Sequence, residues 1–391
     1  MNNNRWASPR TKRMPRSMFN TMDAAKDEAV GKGLEIIDLS IGSSDLPAPK
    51  AAMEALRAAT YRAETHGYCL HSCTRPLREA AAAWSERRFQ HSLDPERNIL
   101  TLIGSQEGLG HLLLAIADPG DLILAPDPGY PSYFGAMAVA GLELVPLPLL
   151  EENQFLPDLT AIPGDVARQA RVMVLSYPNN PTAAVAPASF FGELIDFCTA
   201  NEIFLIHDFP YVDMVYGDYE APSVLSQPGS MAIAVELYSC SKSYHMGGFR
   251  IGWVAGNPDA IQALAQVKGA LDFNQYRGIQ EAAIAAINQP RSETRKAACV
   301  FEERRNVLAK TLNESGWPTP LPQASMYVWT RLPAGLTDSF EFTVNLARET
   351  GVCLAPGRGF GERGEGFVRF ALVREPNALR QAVREIQKFL G

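Results

Sequence analysis

Ser239-Cys240-Ser241-Lys242-Ser243, continued by Gly248-Phe249-Arg250-Ile251-Gly252, is the stretch on which the reading of this chain turns. Arg250 stands eight residues past Lys242. A lysine amine can condense with an aldehyde, and hydroxyls and a guanidinium grouped around it can hold a phosphate. Taken alone the stretch is equally a solvated surface lysine between serines, so the decision rests on what precedes it.

Upstream, apolar runs alternate with helical patterns. Strands are predicted at 99–103, 122–125, 142–147, 172–175, 203–207, 232–237 and 251–255, with helices at 106–117, 187–200 and 258–270. Several of the runs are apolar without alternation, as in strands covered on both faces, and the order indicates an α/β domain with a largely parallel sheet. After about residue 290 the pattern changes. A long helix at 291–313, a strand at 326–330, a helix at 339–349, strands at 352–355 and 367–372 and a last helix at 376–390 predict a smaller α+β domain. The expected division is 47–288 for the large domain, with 1–46 and 289–391 forming an N-terminal arm and the small domain. At 391 residues the chain exceeds what one core usually fills.

A series of motifs falls at the ends of the predicted strands. Gly104-Ser105-Gln106-Glu107-Gly108 opens a helix, where free N–H groups and the positive dipole end suit a phosphate; a plain N-cap by Ser105 reads equally well. Asp127-Pro-Gly-Tyr130-Pro-Ser-Tyr133 offers a ring that can stack on a flat heteroaromatic, or a packed turn. Tyr177-Pro-Asn-Asn180-Pro-Thr182 and His207-Asp208-Phe-Pro-Tyr211 follow two further strands. Ligands of open α/β sheets bind at this carboxyl edge of the strands.

Together these residues resemble the fold-type-I, class I/II aminotransferases, in the family's order and from Leu39 to Leu372. The lysine stretch resembles the family's Ser-x-Ser-Lys, seven residues, Arg-x-Gly signature, and the branch resembled includes LL-diaminopimelate and N-succinyl-diaminopimelate aminotransferases. The resemblance implies pyridoxal 5'-phosphate as cofactor, a carrier of both aldehyde and phosphate. It implies Lys242 as the Schiff-base and proton-transferring residue, with Ser105, Gln106, Glu107, Ser239, Ser241 and Arg250 around the phosphate. Tyr130 would stack on the ring, Asn180 and Tyr211 would bond its 3-oxygen, and Asp208 would pair with its nitrogen. Arg369 and Gly42, with Asn180, would bind the substrate carboxylate, and Ile41-Gly42-Ser43-Ser44 resembles the family's N-terminal strand. His66-Gly67-Tyr68 resembles the segment whose tyrosine reaches the phosphate of a second subunit, which implies a homodimer with shared sites. Two departures stand out. Ala183 occupies the glycine of the family's Asn-Pro-Thr-Gly, and Cys73-Thr74 stands near a usual glycine.

The activity so implied is ping-pong transfer of an amino group between an L-amino acid and a 2-oxo acid. Its alternative is a lyase or decarboxylase on the same scaffold. For the distal end of the substrate, Gln106 and Glu107 could meet an ammonium or amide, and Arg277 could meet a carboxylate or simply cap a helix.

Composition excludes other classes. The net charge of −7 argues against a nucleic-acid surface, and no apolar run reaches the length of a membrane span. A regulator built on this scaffold would need a DNA-binding segment, and none is expected before Leu39. Six cysteines without a secretory signal suggest reduced thiols and a cytoplasmic protein. Arg5, Arg10, Lys12, Arg13 and Arg16 precede any acidic residue and read as a transit peptide or as a partner-embracing arm. His66, Cys69, His71 and Cys73 carry zinc-type ligands in a spacing that matches no standard site, so no metal is expected. Gly359-Phe-Gly361-Glu-Arg-Gly364 fits a dinucleotide fingerprint but precedes a strand, which fails the context that motif needs.

Overall fold

A computed structural model describes residues 5–14 and 19–391. Arg16 lies outside the described residues. All but one of the strands that build the large sheet run in one direction, because helices or long loops carry the chain back between them. With β1 at Ile37–Asp38, the strands of this sheet are β2 (Ile99–Leu102), β3 (Leu122–Asp127), β4 (Glu143–Pro148), β5 (Ala170–Leu175), β6 (Phe204–Asp208), β7 (Ala234–Ser239) and β8 (Gly252–Gly256). Their spatial order is β2-β8-β7-β6-β5-β3-β4. All neighbours from β7 to β4 pair in parallel; β8 runs antiparallel to both β7 and β2. This is the mostly parallel mixed sheet expected, at nearly the expected bounds.

Alternate strand residues feed two separate cores, as the period of two dictates. Leu100, Ile123, Val174, Ile206, Val235 and Val254 pack with the helices Ser105–Ile116 and Pro258–Leu271 on one face. Leu124, Met173, Leu205, Tyr238 and Trp253 pack on the other, against the helices Arg75–Phe89, Ala188–Ala200 and Arg277–Ile287. That second face contains one charged group. Glu236 on β7 is fully buried and lies opposite His207 on β6. Burial acts to raise its pKa, but the His207 ring 2.9 Å away, Ser223 and Tyr238 outweigh it and hold the carboxyl below its ordinary value. The other ring nitrogen of His207 accepts from the Tyr177 N–H at 3.2 Å. His207 therefore links β6 both to β7 and to the segment leaving β5, beside the residues of the site.

The smaller α+β domain has its own core, in which Phe301, Leu308, Trp317, Phe342, Leu346, Phe370 and Ile386 meet. Its strands are β9 (Tyr327–Arg331), β10 (Val352–Cys353), β11 (Ala355–Pro356) and β12 (Phe367–Ala371). One continuous strand was expected at 352–355. The chain instead changes partners at Leu354: β10 pairs in parallel with β1, and β11 pairs antiparallel with β12. Likewise the strand expected around Gly42 ends earlier, at Asp38, and residues 41–46 form a loop laid across the site. Tyr211, Met214 and Tyr216 of the large domain join the small-domain core, so apolar packing continues from one domain into the other.

Candidate active site

The motif residues meet at the carboxyl edge of the sheet. β2, β3, β5, β6 and β7 all end there, and the antiparallel β8 begins there, which brings Arg250 to the same edge. Lys242 lies on a single helical turn, Cys240–Ser243, that starts directly after β7. Ser239 caps this turn by accepting the Ser241 N–H at 3.2 Å. The Lys242 amine donates to the Gly42 carbonyl and lies 5.8 Å from the centre of the Tyr211 ring.

Asp208, the last residue of β6, is buried. Its Oδ2 accepts from the Tyr133 hydroxyl at 2.7 Å, and its Oδ1 is buried without a partner. Burial pushes its pKa up to about 6, with Tyr133, His207 and Lys242 pulling the other way. A buried carboxylate oxygen with nothing to accept from is costly, and a cationic N–H is the group that would relieve it.

On the phosphate side, the N-cap of helix Ser105–Ile116 is Gly104, with φ of +82° and no side-chain cap. Ser105 is the first helical residue and does not cap, so the N–H groups of the first turn remain open to an anion. A Cβ on Gly104 would lie 2.5 Å from Nη2 of Arg250, so the guanidinium sits against this turn and only glycine admits it. Gly252, the glycine of Arg-x-Gly, lies against Ser105 N and the Tyr238 carbonyl, where a Cβ would clash at 2.3 Å. Ser105, Ser239, Ser241 and Arg250 thus lie at the same edge of the sheet, and the side chain of Glu107 is turned to other partners. Its carboxylate accepts from the Ile103 N–H at 2.7 Å and from Lys268 at 3.0 Å, with His111 beside it. From the first turn it reaches back past the N-cap to Ile103, and the buried Lys268 amine keeps it there, so the first-turn N–H groups stay free of it.

Opposite lies the small-domain wall. Arg369 on β12 is buried and donates from Nη1 to Asn180 Oδ1 and from Nη2 to the Ser40 carbonyl, both at 2.7 Å. Its guanidinium stacks between the Tyr327 and Phe360 rings, 4.1 and 4.6 Å from their centres. Its Nε has no partner, and among the described residues no carboxylate pairs with it. A buried cation held by neutral acceptors is a receptor for an anion. Gly42 lies against Tyr327 of this wall: a Cβ there would fall 1.8 Å from the Tyr327 hydroxyl. Tyr130 leans edge-on against Tyr133, and its hydroxyl meets Gln106 at 3.4 Å.

Of the remaining candidates, Arg277 is engaged outside this cluster, and Tyr68, expected at the site of a second subunit, lies on the surface. Arg277 donates to the Glu64 carbonyl at 2.8 Å and so braces the 63–65 turn rather than reaching a substrate. Tyr68 is 82% exposed, its ring packed at 5.3 Å on the exposed Phe273, outside the site of its own chain. The sequence also passed over two tyrosines that the fold brings in. Tyr133 braces Asp208, and Tyr327 meets Tyr211 with hydroxyls 2.9 Å apart. Tyr133 lies in the first turn of the helix that Tyr130 caps, three residues on, and Tyr327 is the diagonal cross-strand neighbour of Arg369, so both spacings carried a signal.

The orphan Asp208 oxygen, the Arg250–Gly104 cradle and the lysine between them fit pyridoxal phosphate, as in the fold-type-I transferases that use it. The family Aminotransferase class I and II matches residues 35–386. An LL-diaminopimelate aminotransferase of Gloeobacter violaceus is 42% identical over 97% of this chain and 97% of its own length. One of Moorella thermoacetica is 39% identical over 98% of each chain. A solved structure, a probable N-succinyldiaminopimelate aminotransferase from Thermus thermophilus, is 48% identical, covers 95% of this chain and 100% of its own, and superposes with a TM-score of 0.91. The chain belongs to the class I and II aminotransferases. It is a pyridoxal-phosphate-dependent enzyme that moves an amino group between an amino acid and a 2-oxo acid, not a lyase or decarboxylase.

Proposed function

We propose that the amino donor is of the diaminopimelate type, free or N-acylated, and that its amino group passes to a 2-oxo acid in two half-reactions. The names of the relatives above support this donor class. Gln106, at the mouth beside Tyr130, is the polar side chain available to its distal amide or ammonium. The observation that carries the α-amino-acid part of the reading is the buried Arg369, stacked between two rings and lacking an acidic partner, while the donor class rests on the relatives.

Arg369 binds the α-carboxylate, with Asn180 and the Gly42 backbone flanking it. Asp208 would face the cofactor's ring nitrogen, Asn180 and Tyr211 its 3-oxygen and Tyr130 its ring. Ser105, the Gln106 and Glu107 N–H groups, Ser239, Ser241 and Arg250 would surround its phosphate. When bound, the cofactor supplies a sink for the negative charge that develops at the substrate α-carbon. The Lys242 amine, held 200 residues from its Gly42 acceptor in sequence but beside it in space, takes the α-proton and returns it. Closure of the small domain, taken as 1–46 and 289–391, over 47–288 excludes water from that exchange.

The working unit in this reading is a cytoplasmic homodimer. Exposed Tyr68, Leu70, Leu271 and Phe273 form an apolar patch next to the phosphate side, and Tyr68 of the partner subunit completes the anion site. No helix among the described residues is long and apolar enough to cross a membrane. A panel of donors, LL-diaminopimelate and its N-succinyl derivative included, with 2-oxoglutarate and oxo-acid detection, tests the substrate. A diaminopimelate-type donor is expected to lead in kcat/KM. Leadership by an apolar or aromatic donor would exclude the class.

A further inference from the structure

We infer that Tyr327 is a positioning residue of this active site: its hydroxyl donates to the Tyr211 oxygen and so leaves the Tyr211 proton free for the cofactor's 3-oxygen. The inference rests on the reading of Tyr211 as a donor to that oxygen.

Tyr327 lies where Arg369, Gly42 and Tyr211 meet. It is buried on β9, its ring lies under the Arg369 guanidinium, and its hydroxyl touches the Gly42 backbone that accepts from Lys242. Its hydrogen-bond partner is the Tyr211 hydroxyl at 2.9 Å. Two facing hydroxyls can bond in either sense, and the sense decides what the site offers. If Tyr211 donates, its proton is consumed inside the pair. If Tyr327 donates, the Tyr211 proton points onward to a third group.

The surrounding charges choose between them. The Arg369 guanidinium lies 4.1 Å from the centre of the Tyr327 ring, and the Lys242 amine donates to the Gly42 backbone that the Tyr327 hydroxyl touches, whereas Lys242 stands 5.8 Å from the centre of the Tyr211 ring; against the pull of burial, Lys242 and Arg369 leave the Tyr327 phenol more acidic than usual. For Tyr211 burial prevails, with the neighbouring phenol adding to it, and its pKa rises well above the ordinary tyrosine value. The more acidic hydroxyl is the better donor and the less acidic one the better acceptor. The chain of bonds therefore runs from Tyr327 to Tyr211 and outward into the site. A hydroxyl that accepts one hydrogen bond also donates a stronger one.

The test uses the holoenzyme and its Tyr327→Phe, Tyr211→Phe and doubly substituted forms. These changes keep both rings and remove only hydroxyls. The readouts are the pH midpoint of the change in the cofactor's visible absorbance and the affinity for cofactor measured by its release. Tyr211→Phe is expected to move the midpoint upward, because a donor to the 3-oxygen is lost. Tyr327→Phe should move it in the same direction by about half a pH unit, the effect of weakening one hydrogen bond. In the double variant the midpoint should equal that of Tyr211→Phe alone. An unmoved midpoint in Tyr327→Phe, beside a shifted one in Tyr211→Phe, overturns the inference and leaves the role of Tyr211 intact. Full additivity in the double variant overturns it as well, since Tyr327 would then act by another route. An unmoved midpoint in Tyr211→Phe overturns both readings.

Discussion

Replacing Arg369 by lysine keeps the charge and removes the planar fork. In the structure Nη1 and Nη2 are each committed at 2.7 Å, to Asn180 and to the Ser40 carbonyl, while Nε is buried without a partner. One ammonium cannot hold both acceptors and still present two parallel donors to a carboxylate. Hydrogen bonds to charged groups contribute about 1.5–3 kcal/mol each, so losing the bidentate pair and loosening Asn180 should cost about 3–4 kcal/mol in kcat/KM. That is a loss of roughly 10²–10³-fold. Because every amino acid carries the same α-carboxylate, the loss should be alike for all donors and lie mainly in KM. Initial-rate kinetics on several donors measure it. An unreactive carboxylate ligand provides a second reading: at about 100 times its Kd it should stabilise the wild type by about 2.7 kcal/mol in a thermal melt and leave Arg369→Lys nearly unchanged. A defect confined to one donor would place Arg369 at the substrate side chain, and a uniform loss under about tenfold would mean the carboxylate has another main partner.

Asp208 is pushed up to about 6 from 3.8 in the folded protein, so the folded state binds its proton more tightly, and stability falls as pH rises between those values. Cofactor-free Asp208→Asn should therefore be more stable than cofactor-free wild type at pH 7.5, by up to about 3 kcal/mol, with the gap closing near pH 4; urea melts showing a constant gap would refute this. His245, half-buried beside Ser44, is lowered from 6.5 to about 4, so the unfolded chain takes its proton first and stability drains as pH falls through that window. His245→Asn, which tolerates the left-handed backbone at φ of 56°, should lose less stability between pH 7 and pH 4 than the wild type does. Phe273→Glu should split the proposed dimer in size-exclusion chromatography with light scattering, since it puts a charge in place of an exposed ring that packs on Tyr68; an unchanged mass would place the interface elsewhere. Ala183→Gly should be nearly neutral in thermal melts, whereas Asn179→Ala should cost about 2–3 kcal/mol and weaken cofactor binding; the reverse order would refute the account of that turn given below.

The sequence reading succeeded where one local signal determined one local outcome. Continuous apolar runs such as those of β5 and β7 gave strands because residues buried on both faces need no alternation. It missed the helix Arg75–Phe89, whose alanine-rich, charge-laced face carries little amphipathic pattern, and Pro131–Ala140, which is apolar nearly all round. The partner switch at Leu354 was invisible for a related reason: Val352 to Ala355 reads as one apolar run whichever strand lies alongside. Glu107 was placed at the cofactor by motif position, and only the approach of Lys268 from another helix shows that its carboxylate is already committed. Tyr133 and Tyr327 are the converse: tertiary packing recruits one from a motif read for Tyr130 alone and the other from a strand read as scaffold.

Ala183 shows how a departure from a motif can leave its geometry intact. The residue takes the left-handed conformation, φ of 58°, that a glycine would adopt freely and that costs an alanine about 1–2 kcal/mol. Its methyl is buried in the small-domain core, which returns about 0.8 kcal/mol, and alanine loses less backbone entropy than glycine on folding. The two sides nearly cancel. The shape of the turn is set instead by Asn179, whose Oδ1 accepts from both the N–H and the hydroxyl of Thr182 and whose own N–H reaches the Ala184 carbonyl at 2.8 Å. Those bonds fix the backbone on either side of Asn180 and hold its side chain against Arg369. The glycine of the motif is therefore a way of lowering strain in this turn, while the asparagine before Asn180 is what makes the turn.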